Sequence, residues 1–382
     1  MNEPNINSVL IATELRGGVG VYALNLINGL TAAGISVTVA TPQPEASPVP
    51  NTITVTEVSG RGRYFRQARE FSRALRDVPG EIDLVHFTDA RYSRLTHVPT
   101  APTIGTMNDY FYALSSLHST EYVRNIYEDW IARFAYYNAL RLSERPALRN
   151  LDGIICIANE VKSILHSAYD IAQEKMTVVP YGINFLKGKH IPLEQRDPII
   201  FFAGGNFQRK GLKVLIEAAP AILQAVPGIQ FVIAGDSRDE RIMKELVNSR
   251  DLTDSFEFLG QISYQTLYEY YRRSAAFVMP SLLEAFGIPY LEAMYCGTPV
   301  VASDCPGPTD YLRDGWNCLM PHVGDANALA DALISAVADD SLRRRLTSNG
   351  ESTAKTFTVE RMISSTLDSY SLFLRQWRET RS

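Results

Sequence analysis

The sequence predicts an α/β protein with two doubly wound parallel sheets. Its 382 residues are too many for one ordinary core and suggest two domains. Short β-branched runs alternate with longer amphipathic segments, which is the pattern of parallel sheets covered by helices on both faces. The alternation pauses between Pro180 and Pro198, where glycine and proline indicate a linker. We therefore expect domains over residues 1–185 and 186–359, with a C-terminal helix at about 360–382 that packs back on the first domain.

Each domain has its own set of predicted strands. In the first domain they are Val9–Ala12, Val37–Ala40, Ile53–Val58, Leu84–Phe87, Thr103–Met107, Gly153–Ala158 and Thr177–Val179. In the second they are Ile199–Ala203, Gln230–Ala234, Phe256–Leu259, Ala276–Met279 and Val300–Ser303, interleaved with helices such as Lys213–Ala225 and Leu267–Ser274. From Ala326 onward the pattern is helical, with a break near Lys355–Val359, so no third domain is expected.

Composition and charge exclude several classes of protein. The net charge of −5 argues against a nucleic-acid partner, because such partners require many cations. The four cysteines form no C-x-x-C pair, which is typical of free thiols in a reducing compartment. The first apolar run, Val9–Ala12, is too short for a signal peptide. The six histidines form no metal-binding motif. We expect a cytoplasmic protein without a structural metal.

The first motif with chemical meaning is a glycine-rich turn. Gly17, Gly18 and Gly20 lie between the first strand and a helix that runs to about Ala33, where backbone N–H groups can approach a phosphate or a hydroxyl-rich ligand. The same pattern satisfies a dinucleotide fingerprint, but the second strand ends without an acid for the ribose. A turn that only packs the helix on the strand is the remaining alternative.

The second motif is the loop from Gly204 to Gly211. It follows a strand, precedes a helix and carries two adjacent cations, Arg209 and Lys210. Cations at a helix start are poorly placed for the helix dipole but well placed for a diphosphate. A solvated surface position is the alternative, and it weighs more for Arg209 than for Lys210.

The third motif is the strongest. Glu284 follows the strand Ala276–Met279, where ligands bind in open α/β sheets, and Glu292 lies about two helical turns further on. One carboxylate can hold the sugar of a nucleotide-sugar donor and the other its ribose, while N–H groups near Gly287 face the diphosphate. The alternative is a pair of ordinary helix charges.

With these residues in place, the sequence resembles the family-4 retaining glycosyltransferases, which have the GT-B fold of two Rossmann-like domains that face a central cleft. The resemblance covers nearly the whole chain. It includes the glycine turn, Val179-Pro180-Tyr181-Gly182, the Gly-x(5)-Lys-Gly loop, and two glutamates separated by seven residues.

The resemblance implies transfer of a sugar from a nucleoside-diphosphate sugar to a hydroxyl acceptor, with no cofactor and no metal. It implies catalytic roles for Glu284 and Lys210 and suggests Asp109 as the only candidate nucleophile. Whether attack proceeds on the leaving-group face or through a covalent intermediate stays open. The implied donor-binding residues are Arg209, Glu292, Gly287, Phe286, Ile288, Gly204, Gly18 and Gly17.

Three positions depart from the family pattern. Gly205 stands where an arginine is usual. One cation that would bind the donor's phosphate is therefore missing, and Arg209 replaces it only in part. Asn108 stands where a histidine is common, which puts a histidine role in doubt, and Cys318 lies in a segment that usually reads Asn-Gly-Leu-Leu. A catalytically degenerate binding protein is therefore the alternative. A GT-B epimerase is a further alternative, and the spacing of the two glutamates argues against it.

A further feature is the arginine-rich segment from Arg61 to Arg76. Four of its arginines share one helical face, as in helices that lie on anionic membranes. A solvated face on a helix that packs its phenylalanine and leucine inward is the simpler interpretation. Peripheral contact with an anionic membrane stays open.

Overall fold

The structure is a computed structural model that describes residues 6–59, 63–76, 81–96, 100–110, 130–189 and 191–381. The chain divides into two compact units. The first contains residues 1–125, 129–184 and 357–382, and the second contains 126–128 and 185–356. Arg61, part of the predicted arginine-rich segment, lies outside the described residues.

The first unit contains a seven-stranded parallel sheet with strand order β3-β2-β1-β4-β5-β6-β7. The strands are β1 (Ser8–Ala12), β2 (Ser36–Thr41), β3 (Thr52–Thr54), β4 (Leu84–Phe87), β5 (Thr103–Met107), β6 (Gly153–Cys156) and β7 (Met176–Val178). The central strands β4 and β5 are buried along their whole length. Strands buried on both faces do not show the polar–apolar alternation of half-exposed strands, and here they also carry the buried polar residues His86, Thr103 and Thr106.

Helices cover this sheet: α1 (Gly17–Ala32), α2 (Arg63–Ala74), α3 (Trp130–Asn150), α4 (Asn159–Tyr169) and the C-terminal helix, here α11 (Val359–Glu379). The C-terminal helix is bound to the core of the first unit. Tyr370 contacts Nδ1 of the buried His86 at 2.7 Å, and Nε2 of His86 contacts Thr106 at 2.7 Å. Burial lowers the pKa of His86 to about 3, so this imidazole is a neutral structural group.

The second unit contains a five-stranded parallel sheet with order β10-β9-β8-β11-β12. Its strands are β8 (Asp197–Ala203), β9 (Gln230–Ala234), β10 (Phe256–Gly260), β11 (Ser274–Val278) and β12 (Val300–Val301). Its helices are α5 (Leu212–Ala225), α6 (Glu240–Asn248), α7 (Tyr264–Arg273), α8 (Ile288–Tyr295), α9 (Ala326–Ala338) and α10 (Asp340–Ala354). The predicted fold of two doubly wound parallel sheets is confirmed.

Strand order reverses once in each sheet. In the first unit the reversal lies between β1 and β4, and in the second between β8 and β11. Loops leave the carboxyl ends of such neighbouring strands in opposite directions and open a crevice there, which is where ligands bind in open α/β sheets. The glycine turn follows β1, the Gly204–Gly211 loop follows β8, and Glu284 follows β11.

Most predicted elements agree with the structure to within two residues at either end, and two differ by more. The predicted strand Ile53–Val58 ends at Thr54, because the N–H of Val58 donates to Oε1 of Gln67 on α2 instead of to a neighbouring strand. The predicted helix Leu267–Ser274 begins three residues earlier, because the Ser263 hydroxyl accepts the N–H of Thr266 and caps it.

In the part of the chain that the structure describes, no helix combines the length and the apolar composition needed to cross a bilayer.

Candidate functional site

The second unit places a buried ion pair at its strand-order reversal. Nζ of Lys210 contacts Oε2 of Glu284, and both residues are less than a tenth exposed. Oε1 of Glu284 accepts the N–H of Ala285 at 3.1 Å. Lys210 follows β8 and Glu284 follows β11, and these two strands are neighbours in the sheet. One charge therefore lies after each strand, at the carboxyl edge of the sheet.

The backbone brings these two loops into direct contact. Gly211 has φ of +76°, and a Cβ there would lie 1.9 Å from the carbonyl oxygen of Pro280. Only glycine allows this conformation and this approach together. The N–H of Leu282 donates to the carbonyl of Arg209 at 2.8 Å and ties the loops together.

Burial and charge act in opposite directions on the pair. Burial lowers the pKa of Lys210, although the Glu284 carboxylate opposes this shift. Burial alone would raise the pKa of Glu284, but the cations of Lys210 and Arg209 outweigh it and hold that pKa below its usual value. Glu284 is therefore an ionised carboxylate at neutral pH, held between two cations.

Arg209 contributes a second cation at this edge. Its Nη1 donates to the carbonyl of Leu283 at 2.9 Å, and its backbone N–H donates to Oδ1 of Asn206 at 3.2 Å. It is half-buried, so it is not the solvated side chain that the alternative interpretation required. At Gly205, one of the departures from the family pattern, a Cβ would lie 3.2 Å from the Asp236 carbonyl.

The loop after Glu284 is held by the Tyr311 hydroxyl. This hydroxyl donates toward the carbonyls of Phe286 and Gly287, at 2.6 and 2.9 Å. Gly287 has φ of +85° and precedes α8, whose first residue is the half-buried Ile288. Positive φ at Gly287 lets the chain turn into the helix immediately after the buried Phe286 ring. The start of α8 is thereby fixed near Glu284.

Glu292 lies on α8 and contacts the neighbouring helix α7. Its Oε1 accepts the Tyr264 hydroxyl at 2.8 Å, and its Oε2 accepts the Tyr271 hydroxyl at 3.1 Å. The residue is 4% exposed. Burial raises the pKa of Glu292 to about 7, and the tyrosine hydroxyls, including that of Tyr268, oppose this shift.

In the first unit, the glycine turn opens α1. A Cβ added at Gly20 would lie 2.6 Å from the Leu15 backbone, so Gly20 is required by packing. A Cβ at Gly17 or Gly18 would meet no described atom within 4 Å, and both residues are exposed. At Gly18, which has an ordinary φ, neither the described packing nor the backbone requires glycine.

Asp109 follows β5 and belongs to a cluster of charges. The Arg91 guanidinium donates to both Asp89 oxygens, at 2.8 and 2.9 Å, and contacts both Asp109 oxygens at 3.4 and 3.2 Å. Glu144 lies fully buried nearby, where its Oε2 accepts the Tyr169 hydroxyl. Burial raises the pKa of Glu144 to about 8.

Asn108 is the second departure from the family pattern, and the structure gives it two hydrogen bonds. Its Nδ2 donates to the Thr88 carbonyl at 2.7 Å, and its Oδ1 accepts the Tyr181 hydroxyl at 2.6 Å. Tyr181 belongs to the Val179–Gly182 motif recognised in the sequence. Asn108 therefore joins the ends of β4 and β5 to that motif.

The structure groups the predicted site residues within each unit. Lys210, Arg209 and Glu284 form one cluster in the second unit, while Glu292 contacts a set of tyrosines. The predictions missed these tyrosines, although positions 264, 268 and 271 share one helical face. They also missed Arg91 and Glu144, for which the sequence carries no local signal.

The loop from Asp236 to Asp239 lies against the Gly204–Gly211 loop. Oδ2 of Asp239 accepts the N–H of Gln208 at 3.1 Å, and the Ser237 hydroxyl accepts the N–H of Phe207 at 3.2 Å. In the described parts of the chain, no group of three or more His, Cys, Asp or Glu side chains is placed to hold a metal ion.

Comparison with known proteins matches each half of the chain to a family. Residues 16–185 match "Glycosyltransferase Family 4", and residues 187–353 match "Glycosyl transferases group 1". A phosphatidyl-myo-inositol mannosyltransferase of Mycobacterium leprae is 33% identical over 153 residues, 40% of either chain. A lipopolysaccharide core biosynthesis glycosyltransferase of Rhizobium meliloti is 33% identical over 156 residues, 41% of this chain and 44% of that one. The matched segments thus span less than half of these two relatives.

Solved structures match over the whole chain. A sucrose-phosphate synthase from Thermosynechococcus elongatus has a TM-score of 0.77 at 23% identity, over 98% of this chain and 100% of that one. An Anabaena protein in complex with UDP and glucose has a TM-score of 0.71 at 16% identity, over 95% and 98% of the chains. At these identities the likeness establishes the fold, which is that of the GT-B glycosyltransferases.

Proposed function

Because the chain belongs to the group 1, family-4 glycosyltransferases, we propose that it transfers a sugar from a nucleoside-diphosphate sugar to a hydroxyl acceptor and retains the anomeric configuration. The observation that carries this proposal is the buried Lys210–Glu284 ion pair at the strand-order reversal of the second sheet. A hexosyltransferase is the class that we propose. One of the relatives named above supports it, since it is a mannosyltransferase.

The cations would act on the leaving group. As the bond between the anomeric carbon and the diphosphate oxygen breaks, negative charge grows on the diphosphate. Lys210 and Arg209 are held in place before the reaction, so they can stabilise this charge without reorganisation. N–H groups near Gly287 and Ile288, at the start of α8, would add a fixed dipole.

Glu284 would act on the sugar. Its carboxylate is fixed by Lys210 and by the Ala285 N–H, so its position is defined before the donor binds. Held beside the sugar, it would accept hydroxyl hydrogen bonds and offset the positive charge that develops at the anomeric carbon. Gly204 and Phe286 would bound the same side of the donor.

Glu292 would bind the ribose diol of the donor. A carboxylate oxygen has two lone pairs and accepts ribose hydroxyls in this role. The sequence places Glu292 two helical turns after Glu284, but Glu284 lies in the loop before α8 and Glu292 in the second turn of that helix. This separation suits a nucleoside that extends away from the reacting sugar.

The acceptor side is proposed to lie on the first unit. Gly17 and Gly18 are open glycines at the start of α1, which suits close approach of the donor's phosphate, as the family resemblance implies, or of a hydroxyl-rich acceptor beside it. Asp109 would face the acceptor hydroxyl or serve as the nucleophile. Its contact with Arg91 fixes the direction of its carboxylate in either role.

No cofactor and no metal forms part of the proposal, since the nucleotide sugar is itself the co-substrate. The fixed cations of Lys210 and Arg209 would supply the charge that an ion supplies in other transferases.

We also propose peripheral contact with an anionic membrane through α2. Its arginines at positions 63, 66, 69 and 73 are exposed, as is Arg76 just after it, and Phe65 is 46% exposed. Phe71 packs inward against Phe87, as expected for an amphipathic helix. Several of these cations already have protein partners, Arg63 with Glu14 and Arg73 with Glu70 among them, which reduces the charge left for lipid.

Sedimentation with anionic vesicles tests the membrane contact. Each cation near the surface contributes up to about 1 kcal/mol. Replacing Arg66 and Arg69 with glutamine should release the protein at low salt. The same charge change at the exposed Arg238 and Arg241 of the second unit should leave the protein bound to the vesicles. Wild-type protein that stays in the supernatant at low salt would rule this contact out.

A thermal-shift screen tests the donor site. UDP, GDP, ADP and dTDP and their sugars are tested in turn. A ligand at 100 times its dissociation constant adds about 2.7 kcal/mol, or roughly 5–11 °C for units of this size. No shift by any of them at millimolar concentration would refute the donor site. Donor hydrolysis without acceptor would exclude the degenerate binding protein.

A further inference from the structure

The Glu292 carboxylate is closed off by tyrosines of α7, and the Tyr268 hydroxyl lies close to it besides those of Tyr264 and Tyr271. Each of its oxygens accepts one tyrosine hydroxyl from α7, Oε1 from Tyr264 and Oε2 from Tyr271. With 4% of the residue exposed, a ribose cannot reach this carboxylate unless a neighbouring group moves.

Tyr264 and Tyr271 differ in their freedom to move. Tyr271 is fully buried, and its ring packs edge-on against Phe201 and Phe277 at 5.4 and 5.3 Å between centroids. Leaving this place would open a cavity in the core. Tyr264 is 43% exposed and is the first residue of α7, and its described ring contact is with Tyr268 at 4.9 Å. Its hydroxyl also contacts the Tyr268 hydroxyl at 3.2 Å, so a rotation about its χ1 bond breaks these hydroxyl contacts but opens no cavity in the core.

We propose that Tyr264 is a movable cover over Glu292, whose hydroxyl occupies carboxylate oxygen Oε1 and is displaced by a ribose hydroxyl when a nucleotide binds. This inference rests on the proposed role of Glu292 in holding the ribose. Tyr271 stays bound to Oε2 and keeps the carboxylate oriented. The exchange replaces one O–H···O bond with another, so it selects for a ligand that carries a hydroxyl at that position.

Covering of this kind reduces the apparent affinity for nucleotide. When only a fraction of the molecules have Oε1 free, the measured dissociation constant is the intrinsic one divided by that fraction. Replacing Tyr264 with phenylalanine keeps the ring against Tyr268 and removes the competing hydroxyl. Since a single hydrogen bond contributes modestly on balance, Tyr264→Phe should bind nucleotide about 3- to 10-fold more tightly.

The experiment measures binding of UDP, GDP and ADP by titration calorimetry at pH 8.5 to wild-type protein, Tyr264→Phe and Tyr270→Phe. The high pH keeps Glu292 ionised, because the pKa of that carboxyl is raised to about 7 and loss of a donated hydrogen bond raises it further. Tyr270 is the matched control. It lies on the same helix, but its ring stacks on Phe201 at 5.1 Å. A 2′,3′-dideoxynucleoside diphosphate of the preferred base is measured in parallel.

The proposed role of Tyr264 as a cover is supported if Tyr264→Phe binds nucleotide more tightly than the wild type. The gain should be absent in Tyr270→Phe and absent for the dideoxy nucleotide. Equal or weaker binding by Tyr264→Phe, while the wild type binds nucleotide, overturns the cover and leaves the proposed function standing. An equal gain for the dideoxy nucleotide also overturns it, because the gain would not come from the ribose hydroxyls. Binding by neither protein at millimolar nucleotide overturns both proposals.

Discussion

Lys210 and Glu284 are 74 residues apart in the sequence, yet the Lys210 ammonium contacts the Glu284 carboxylate in the interior of the second unit. Ion pairs of this kind are weak evidence for stability, because two charges lose their hydration to form them. The position of both charges beside a strand-order reversal fits the proposed role in the reaction.

The first prediction separates these two roles of Lys210. Lys210→Met leaves Glu284 buried without its partner, which should lower the free energy of unfolding by about 3–5 kcal/mol. Lys210→Met combined with Glu284→Gln should recover much of that loss. Turnover should fall about 100-fold or more in both variants, because the leaving-group charge loses its cation. Urea denaturation and initial rates with the donor found by the nucleotide screen provide the two measurements.

The exposed Lys213, three residues further on, provides the control. Lys213→Met removes the same charge and should change neither stability nor turnover appreciably. Near-normal turnover in a folded Lys210→Met protein would contradict the role in catalysis.

Much of the fold could be predicted because its signals are local. Strands such as Leu84–Phe87 and Gln230–Ala234 are short apolar runs between turn residues, and the structure has them with the same bounds. The failure at Ile53–Val58 has a tertiary cause. Whether Val58 pairs with a strand or with Gln67 depends on where α2 packs, and the local pattern carries no information on this.

The site residues could be selected from the sequence but their partners could not. The glycine loop and the two glutamates stand out by spacing, whereas the contact of Glu292 with Tyr264 depends on how α7 packs on α8. The contact of the Gln208 N–H with Asp239 has no signal in the sequence either, because it depends on how two loops pack at neighbouring strand ends.

The second prediction concerns pH and the donor. Burial raises the pKa of Glu292 to about 7, against the hydroxyls of Tyr264, Tyr271 and Tyr268, and the Cys296 thiol lies close to these groups. A protonated carboxyl loses acceptor capacity, so nucleoside-diphosphate affinity should rise as pH increases from about 6 to 8 and then level off.

Glu292→Gln is the control for this pH dependence. The glutamine side chain cannot ionise, so the nucleotide affinity of this variant should lack the rise with pH that ionisation of Glu292 causes. At pH 8 the variant should bind nucleotide more weakly than the wild type by roughly 1–3 kcal/mol. Titration calorimetry across the pH range measures both proteins. The nucleotide's own phosphate titrates in both experiments and cancels in the difference. Parallel pH profiles for the two proteins would remove Glu292 from the ribose site.

The third prediction concerns pH and stability in the first unit. Glu144 is fully buried, and its Oε1 has no hydrogen-bond partner among the described residues. Burial raises the pKa of Glu144 to about 8, with Arg91 and Tyr169 opposing the shift and Asp109 and Asp89 adding to it. The folded state therefore holds this proton at pH values where the unfolded chain has lost it. The stability that this proton gives is complete below the unfolded pKa and is lost as pH rises toward 8.

Glu144→Gln removes the titrating group and keeps the shape of the side chain. Relative to this variant, the wild type should lose up to about 1.4 kcal/mol of unfolding free energy per pH unit between about pH 5 and 8. Urea unfolding at pH 5.5, 7 and 8.5, followed by a probe in the first unit, gives the difference. A constant offset at all three pH values would show that Glu144 is not protonated in the folded state.

The last prediction concerns the metal and the stereochemistry. Transferases that hold the diphosphate through a divalent ion use it to offset leaving-group charge directly. Here the proposed donor site supplies Lys210, Arg209 and the start of α8 for the same task. Transfer should therefore persist in excess EDTA, and nuclear magnetic resonance of the fresh product should show the anomeric configuration of the donor. Activity abolished by EDTA and restored by magnesium or manganese would refute the role assigned to these cations. An inverted product would instead refute the retaining mechanism and leave the cations in place, because they act on the leaving group whichever face of the sugar is attacked.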